Sequence, residues 1–188
     1  MALGAGSGAG AGLLTPFIAR HFGATANRWL YTCLGAVGGA ALGWRLDGQQ
    51  MLMVWLAVLI VTPWLCAIDL AVHRLPDVIV LTAAAEVALK AWSLRALAGG
   101  AVLVTVYAVL AVLPRSGLGF GDVKLAALLG IALARIGWAP LVWGTALAFV
   151  LGGVAALVLL ATRRATRDTH LPFGPAMLAG AGVAAVLS

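Results

Sequence analysis

Two aspartates at the ends of apolar runs are the side chains of this sequence best placed to do chemistry. Asp69 closes the run VWLAVLIVTPWLCAID, and Asp122 follows the glycine-spaced segment SGLGFGD and precedes the apolar stretch VKLAALLGIALA. Two carboxyl groups that share a wet pocket cannot both ionise easily, so one keeps its proton while the other activates a water molecule. The pair therefore predicts hydrolysis of the aspartyl-peptidase type, which requires no metal and no cofactor.

Each aspartate also has a structural explanation. Asp69 could be an acid at a helix end that reaches toward the membrane surface and pairs with His73 or Arg74, although a carboxylate at a helix C-terminus opposes the macrodipole. Asp122 could cap the helix that follows it. The bare pattern GxGD is weak evidence in a chain with 24 glycines. The two acids together carry more weight, because shared catalysis explains both.

Neighbouring residues are expected to shape a site around the two acids. Gly119 and Gly121 allow unusual backbone dihedrals and a close approach between helices. Pro76 should break the chain before the next helix, and Asp77 is expected to cap that helix rather than to act in catalysis. These residues predict a loop and a turn that meet at one membrane face.

The segment LPFGP opens the last apolar run and is expected to line the same site. Pro172, Gly174 and Pro175 would form a rigid entry to the helix, although a proline in the first turn is also an ordinary helix start. Lys124 is offset from Asp122 by two positions, so it is expected to face elsewhere and to reach toward phosphate or solvent.

The chain offers no competing catalytic set. His21, His73 and His170 are scattered, and Cys33 and Cys66 lack the CxxC spacing of a zinc or redox site. Neither HExxH nor GxSxG occurs. No metal site is therefore expected.

The composition indicates that lipid is the solvent. Hydrophobic residues make up 63% of the 188 residues and charged residues 10%, with a mean hydropathy of +1.08. So little polar surface cannot cover a water-soluble globule. The net charge of +6 would suggest nucleic acid in a soluble protein. Here the basic residues lie in short gaps between apolar runs, which indicates membrane topology and anionic headgroups instead.

Apolar runs of about 20 residues predict an all-α, polytopic bundle of transmembrane helices with about seven spans, within a range of six to eight. No linker or repeat divides the chain, so residues 1–188 are expected to form one membrane-embedded domain. The Gly-rich residues 1–27 could form a further span, a re-entrant piece or a disordered leader. Arg135, Gly137 and Pro140 could turn the chain between the fifth and sixth runs. The runs cover residues 29–44, 51–70, 77–92, 97–113, 123–143 or fewer, 141–161 and 171–188.

Charge asymmetry predicts the orientation. If the loop after Asp69 is cytoplasmic, eight of the 12 Lys and Arg residues lie inside and four outside, which agrees with the positive-inside rule. The same orientation brings the loop after Asp69 and the loop before Asp122 to one face. The inside residues are Arg20, Arg28, Arg74, Arg115, Lys124, Arg163, Arg164 and Arg167, and the outside residues are Arg45, Lys90, Arg95 and Arg135.

Three motifs, taken in order, resemble those of the type IV prepilin peptidases, which are membrane aspartyl peptidases of the GxGD type. The motifs are IDLAVHRLPD at residues 68–77, GFGDVKL at 119–125 and LPFGP at 171–175, and the resemblance extends from about Met51 to the end of the sequence. Presenilin-type proteases also carry GxGD, but their first aspartate follows a tyrosine, whereas Ile68 precedes Asp69 here.

The resemblance implies an endopeptidase that cuts the leader from type IV prepilins or pilin-like (Flp or pseudopilin) proteins at the cytoplasmic face of the inner membrane. Asp69 and Asp122 match the family's catalytic pair. Larger members also N-methylate the new terminus, using an N-terminal domain in which paired cysteines bind zinc. This sequence carries no such insert and no CxxC, so it resembles the short form of tight-adherence pilus systems, and methylation is not expected.

A second class of function would use the same acids differently. In a small transporter or channel subunit, Asp69 and Asp122 would relay protons or bind a cation. A third possibility, a catalytically inactive partner of a secretion machine, fits the apolar runs but leaves the paired acids unexplained. Loss of the leader from a tagged prepilin distinguishes the peptidase from both.

Overall fold

Helices account for most of the residues that the computed structural model describes, which are 2–21, 28–45, 49–113, 118–163 and 172–188. No strand occurs within these ranges, so the predicted all-α class is confirmed. In chain order the helices are α1 (Ala2–His21), α2 (Arg28–Arg45), α3 (Gln49–Val72), α4 (Asp77–Lys90), α5 (Leu94–Val112), α6 (Phe120–Ile136), α7 (Trp138–Ala161) and α8 (Gly174–Leu187).

Three of these helices have the length and apolar character needed to cross a membrane by themselves. Within the described residues they are Met51–Val72, Leu94–Val112 and Trp138–Ala161. Their outward-facing side chains include many large apolar groups, such as Val102, Val150 and Leu157, which suits contact with lipid. The predicted polytopic bundle with about seven spans is therefore confirmed in its class.

Most of the Gly-rich N-terminal segment is helical in the structure. Residues 2–21 form α1, which packs on α2 and α3. A Cβ atom at Gly8 or at Gly35 would collide with the other residue's backbone, so the small residues let the two helices approach closely. Trp64 of α3 also donates a hydrogen bond to the carbonyl oxygen of Ala11 (3.0 Å).

The chain turns between α6 and α7 at Gly137, one of the three residues expected to allow it. The break occupies a single residue, and Pro140 falls in the first turn of α7, where its missing N–H costs nothing. Arg95, at the start of α5, donates a hydrogen bond to the carbonyl oxygen of Arg135 (2.9 Å). This bond satisfies a carbonyl at the end of α6 that has no partner within the helix.

Helix α6 lies at the centre of the bundle and brings the other elements to a common site. It contacts α3, α4, α5, α7 and α8, and the residues from Leu128 to Ala134 are all buried. A helix that is apolar all round is typical of such a central position. Because short connections make consecutive helices antiparallel, the end of α3 and the starts of α4, α6 and α8 lie at one end of the bundle.

Candidate active site

Asp69 lies in the last turn of α3, with only 4% of its surface exposed. Its Oδ2 atom accepts a hydrogen bond from the backbone N–H of Gly174 (2.9 Å), the first residue of α8. The structural alternative for Asp69 was a pair with His73 or Arg74. The hydrogen bond that the structure shows for this carboxyl group is the one from Gly174 instead. Asp69 is therefore tied to a distant element and does not reach outward to the surface.

Asp122 is the third residue of α6 and is 7% exposed. Its Oδ2 atom accepts a hydrogen bond from the backbone N–H of Gly119 (3.0 Å). Gly119 is the N-cap residue, so the alternative in which Asp122 itself is the N-cap does not hold. An acid at the third position still satisfies a free N–H and complements the helix dipole.

The two carboxyl groups line one cavity of about 310 Å³. Among the charged side chains that the structure describes, only Asp69 and Asp122 are buried. Burial of an acid is costly unless it is hydrogen-bonded or serves a function. The other residues that line the cavity are His73, Arg74, Leu75, Asp77, Gly119, Phe120, Gly121, Lys124, Pro172 and Phe173.

Two glycines make the convergence of these elements possible. A Cβ atom at Gly121 would lie 3.1 Å from the Cβ of Leu75, so glycine lets the start of α6 approach the segment after α3. A Cβ atom at Gly174 would lie 2.7 Å from Oδ2 of Asp69, closer than real contacts allow. A side chain at Gly121 would press on Leu75, and a side chain at Gly174 would displace the carboxyl group of Asp69.

Asp77 and Lys124 form an ion pair at the mouth of the cavity (Nζ to Oδ1, 2.6 Å). Asp77 is the first residue of α4, Pro76 is the N-cap, and no side chain caps this helix. The expectation that Asp77 caps α4 is therefore wrong. Lys124 lines the cavity together with the other site-shaping residues, although its offset from Asp122 by two positions predicts that it faces away from that acid. Both side chains are more than a third exposed, so the pair contributes little to stability and instead places opposite charges beside the cavity.

The prolines of the predicted site have different positions. Pro172 lines the cavity, whereas Pro175 is the second residue of α8 and Pro76 ends the turn before α4. Leu171, the first residue of the LPFGP motif, lies outside the described residues. The prolines thus fix the chain on either side of Gly174 and before α4, and only one of the three faces the cavity.

Three cavity residues were not singled out from the sequence. They are Leu75, Phe120 and Phe173, and each is an apolar member of one of the three motifs. Their position within these motifs was the only feature of the sequence that could have predicted their place in the cavity. They give the cavity an apolar lining around the two acids, which favours interaction between buried charges.

The arrangement is suited to hydrolysis by a pair of carboxyl groups. Within the described ranges, His, Cys, Asp and Glu side chains form no group of three or more that could hold a metal ion. Two acids that share a cavity have titrations that belong to the pair, and a single shared proton lets one act as acid and the other as base. This is the chemistry that the geometry permits.

Comparisons with known proteins identify a family of peptidases. Residues 51–157 match the type IV leader peptidase family. A segment of 73 residues is 45% identical to the prepilin leader peptidase/N-methyltransferase of Pseudomonas putida; it makes up 39% of this chain and 24% of that protein. The chain thus matches about a quarter of that relative's length. No solved structure matches the chain.

Proposed function

The chain belongs to the type IV leader peptidase family, and from that premise we propose that it is a multi-pass aspartic endopeptidase of the inner membrane. Its substrates would be type IV prepilins or pilin-like proteins, from which it removes the leader peptide. The observation that carries the proposal is the convergence of Asp69 and Asp122, both buried, on one cavity. The match to a prepilin leader peptidase supports the class of substrate.

The hydrogen bonds of the two acids support different roles for the two oxygen atoms of each carboxyl group. The Oδ2 atoms accept hydrogen bonds from Gly174 and Gly119, which fixes the orientation of both groups and leaves each Oδ1 for a water molecule. In the proposed reaction the ionised carboxylate takes a proton from this water as the water attacks the scissile carbonyl carbon. The protonated carboxyl group donates a hydrogen bond to the carbonyl oxygen, and the C–N bond then breaks as the amine is protonated.

Transport is the second candidate, because buried acids in membrane proteins also relay protons. The positions of the acids favour hydrolysis. Asp69 and Asp122 lie at helix ends that face a common cavity. Among the residues that the structure describes, no other acid is buried, and the core of the bundle is apolar. A proton path would need additional polar groups along the bundle.

We expect purified protein to cleave a tagged prepilin, with a short basic leader followed by a hydrophobic helix, in the presence of a strong chelator. The reason is that two carboxyl groups and a water suffice for the reaction. Mass spectrometry of the product should show loss of the leader and, with a methyl donor present, no added methyl group.

Two results of this assay would contradict the proposal. Activity that chelation abolishes and zinc restores would indicate a metallopeptidase. An intact prepilin, together with proton or cation flux in liposomes that contain the protein, would indicate a transporter.

We also expect the catalytic cavity to open to the cytoplasm. The described basic residues Arg74, Lys124 and Arg163 lie at the same end of the bundle as the two acids, in agreement with the positive-inside rule. In a cysteine-free background, Arg74→Cys, Arg115→Cys and Arg164→Cys should react with a membrane-impermeant thiol reagent only after the inner face is exposed. Arg115 and Arg164 lie outside the described residues, so their cytoplasmic location stays a prediction from the charge asymmetry.

A cysteine at the other end of the bundle provides the control for orientation. Lys90→Cys, at the end of α4, should react in intact cells without permeabilisation. Reaction of any of the three cytoplasmic positions from outside would overturn the assigned orientation.

A further inference from the structure

Three aromatic rings pack together behind the catalytic cavity. They belong to Tyr107 of α5, Phe149 of α7 and Phe173, the residue before α8. The ring centroids of Phe149 and Phe173 are 5.3 Å apart, those of Tyr107 and Phe149 are 5.6 Å apart, and those of Tyr107 and Phe173 are 6.3 Å apart. These separations are typical of attractive aromatic pairs. We refer to the three residues as the aromatic cluster.

One member of the aromatic cluster, Phe173, directly precedes Gly174, the residue whose N–H donates a hydrogen bond to Asp69. Phe173 is the N-cap of α8, and its carbonyl group shares a planar peptide unit with the N–H of Gly174. That N–H donates to Oδ2 of Asp69 at 2.9 Å. Because the ring and this peptide unit are attached to the same Cα atom, displacement of Phe173 would move the unit and change the position of this N–H.

Helix α7 provides a fitted recess for the Phe173 ring. A Cβ atom at Gly152 would lie 2.5 Å from Cε2 and 2.9 Å from Cδ2 of Phe173. The neighbouring Gly153 faces open space, with no atom within 4 Å of its Cβ position. Two adjacent glycines on one helix thus differ completely in surroundings, and only Gly152 is needed for the position of the ring.

Resting on the proposed function, we propose that Gly152 and the aromatic cluster are positioning residues for catalysis. They place the Gly174 N–H so that it orients the carboxyl group of Asp69 toward the cavity. Tyr107, which is 1% exposed, and Phe149 are not among the residues that line the cavity, and in this proposal they act through Phe173. Gly152 lies on α7 and is not among the residues that line the cavity.

The test compares Gly152→Ala with Gly153→Ala in the prepilin cleavage assay. Alanine favours helix over glycine at both positions, so any loss specific to Gly152→Ala comes from displacement of the ring. We expect Gly152→Ala to lower kcat by about tenfold or more, because small displacements of catalytic groups have large effects on rate. KM should stay near the parental value, and Gly153→Ala should match the parent in both constants.

The pH–rate profile distinguishes positioning from a smaller fraction of folded enzyme. Loss of folded enzyme scales the profile without moving it, whereas a changed hydrogen bond to a carboxyl group of the pair displaces it along the pH axis. We expect a displaced profile for Gly152→Ala. A parental kcat, or a lower kcat with an unmoved profile, would overturn the inference.

A second substitution keeps the inference testable if Gly152→Ala lowers the melting temperature. Phe173→Leu removes the ring without overpacking and should also lower kcat and displace the pH profile. Adding Gly152→Ala to Phe173→Leu should cost little more, because the two substitutions act on one contact.

Additive losses in this double variant would contradict the inference. A parent that fails to cleave prepilin would overturn the proposed function itself. Equal rates of cleavage by the parent and by Gly152→Ala would overturn only the positioning role.

Discussion

Replacement of either Asp69 or Asp122 by asparagine is expected to lower the rate of leader cleavage by about 10²-fold or more. Asparagine keeps the shape of the side chain and a carbonyl oxygen that can accept the hydrogen bonds from Gly174 and Gly119. It cannot exchange a proton with water or with a scissile carbonyl group. Structure should therefore survive while the reaction fails.

The double variant separates a shared catalytic unit from two independent roles. If the two acids act as one pair, Asp69→Asn combined with Asp122→Asn should be little worse than either alone. Glutamate retains the charge but moves the carboxyl group by one methylene, so both Glu variants should also be badly impaired. The measurement is the initial rate of leader removal from a tagged prepilin, with each variant inserted and expressed like the parent.

Asp77→Asn provides a matched control within the same cavity. Asp77 is exposed and paired with Lys124, so its loss should reduce activity far less than loss of either buried acid. Near-parental cleavage by Asp69→Asn or Asp122→Asn would show that the aspartate concerned is not catalytic. A purely structural role predicts such a mild effect at Asp122, because asparagine serves at helix starts about as well as aspartate.

Gly174→Ala is expected to produce the second large effect, a loss of about tenfold to 10²-fold in kcat. The added methyl group would lie 2.7 Å from Oδ2 of Asp69 and 3.3 Å from its carboxyl carbon, so the carboxyl group must move away from its present position. Helix α8 itself should not suffer, since alanine is the better helix former. The melting temperature of the solubilised protein should therefore stay near that of the parent.

Gly182→Ala, on the same helix, is the control for this substitution. No atom lies within 4 Å of the Cβ position at Gly182, so we expect parental kcat and KM. Equal activity of Gly174→Ala and Gly182→Ala would show that the hydrogen bond to Asp69 has no catalytic importance.

Apolar periodicity and charge were sufficient to predict the class of fold and the turn at Gly137. The packing of residues 2–21 was left open because their many glycines lower both the hydropathy and the helix propensity of the segment. What stabilises α1 is a backbone contact between Gly8 and Gly35, and such a contact depends on the register of two helices. Hydropathy along one helix contains no information on that register.

The two acids were identified from the sequence, but most of their surroundings were not. The donor to Asp69 is a backbone N–H, which every residue except proline possesses, so no residue type marks it. The pair between Asp77 and Lys124 joins α4 to α6, and the i,i+4 rule for a single helix cannot predict it. Tertiary packing determined each of these features.

The bond between Asp69 and Gly174 connects residues that are 105 positions apart in the chain. During synthesis, α3 enters the membrane long before the ribosome has made α8. The hydrogen bonding of the first aspartate therefore cannot be complete until the last helix has joined the bundle. On the proposed function, the site around Asp69 would therefore be completed only when α8 has packed against α3.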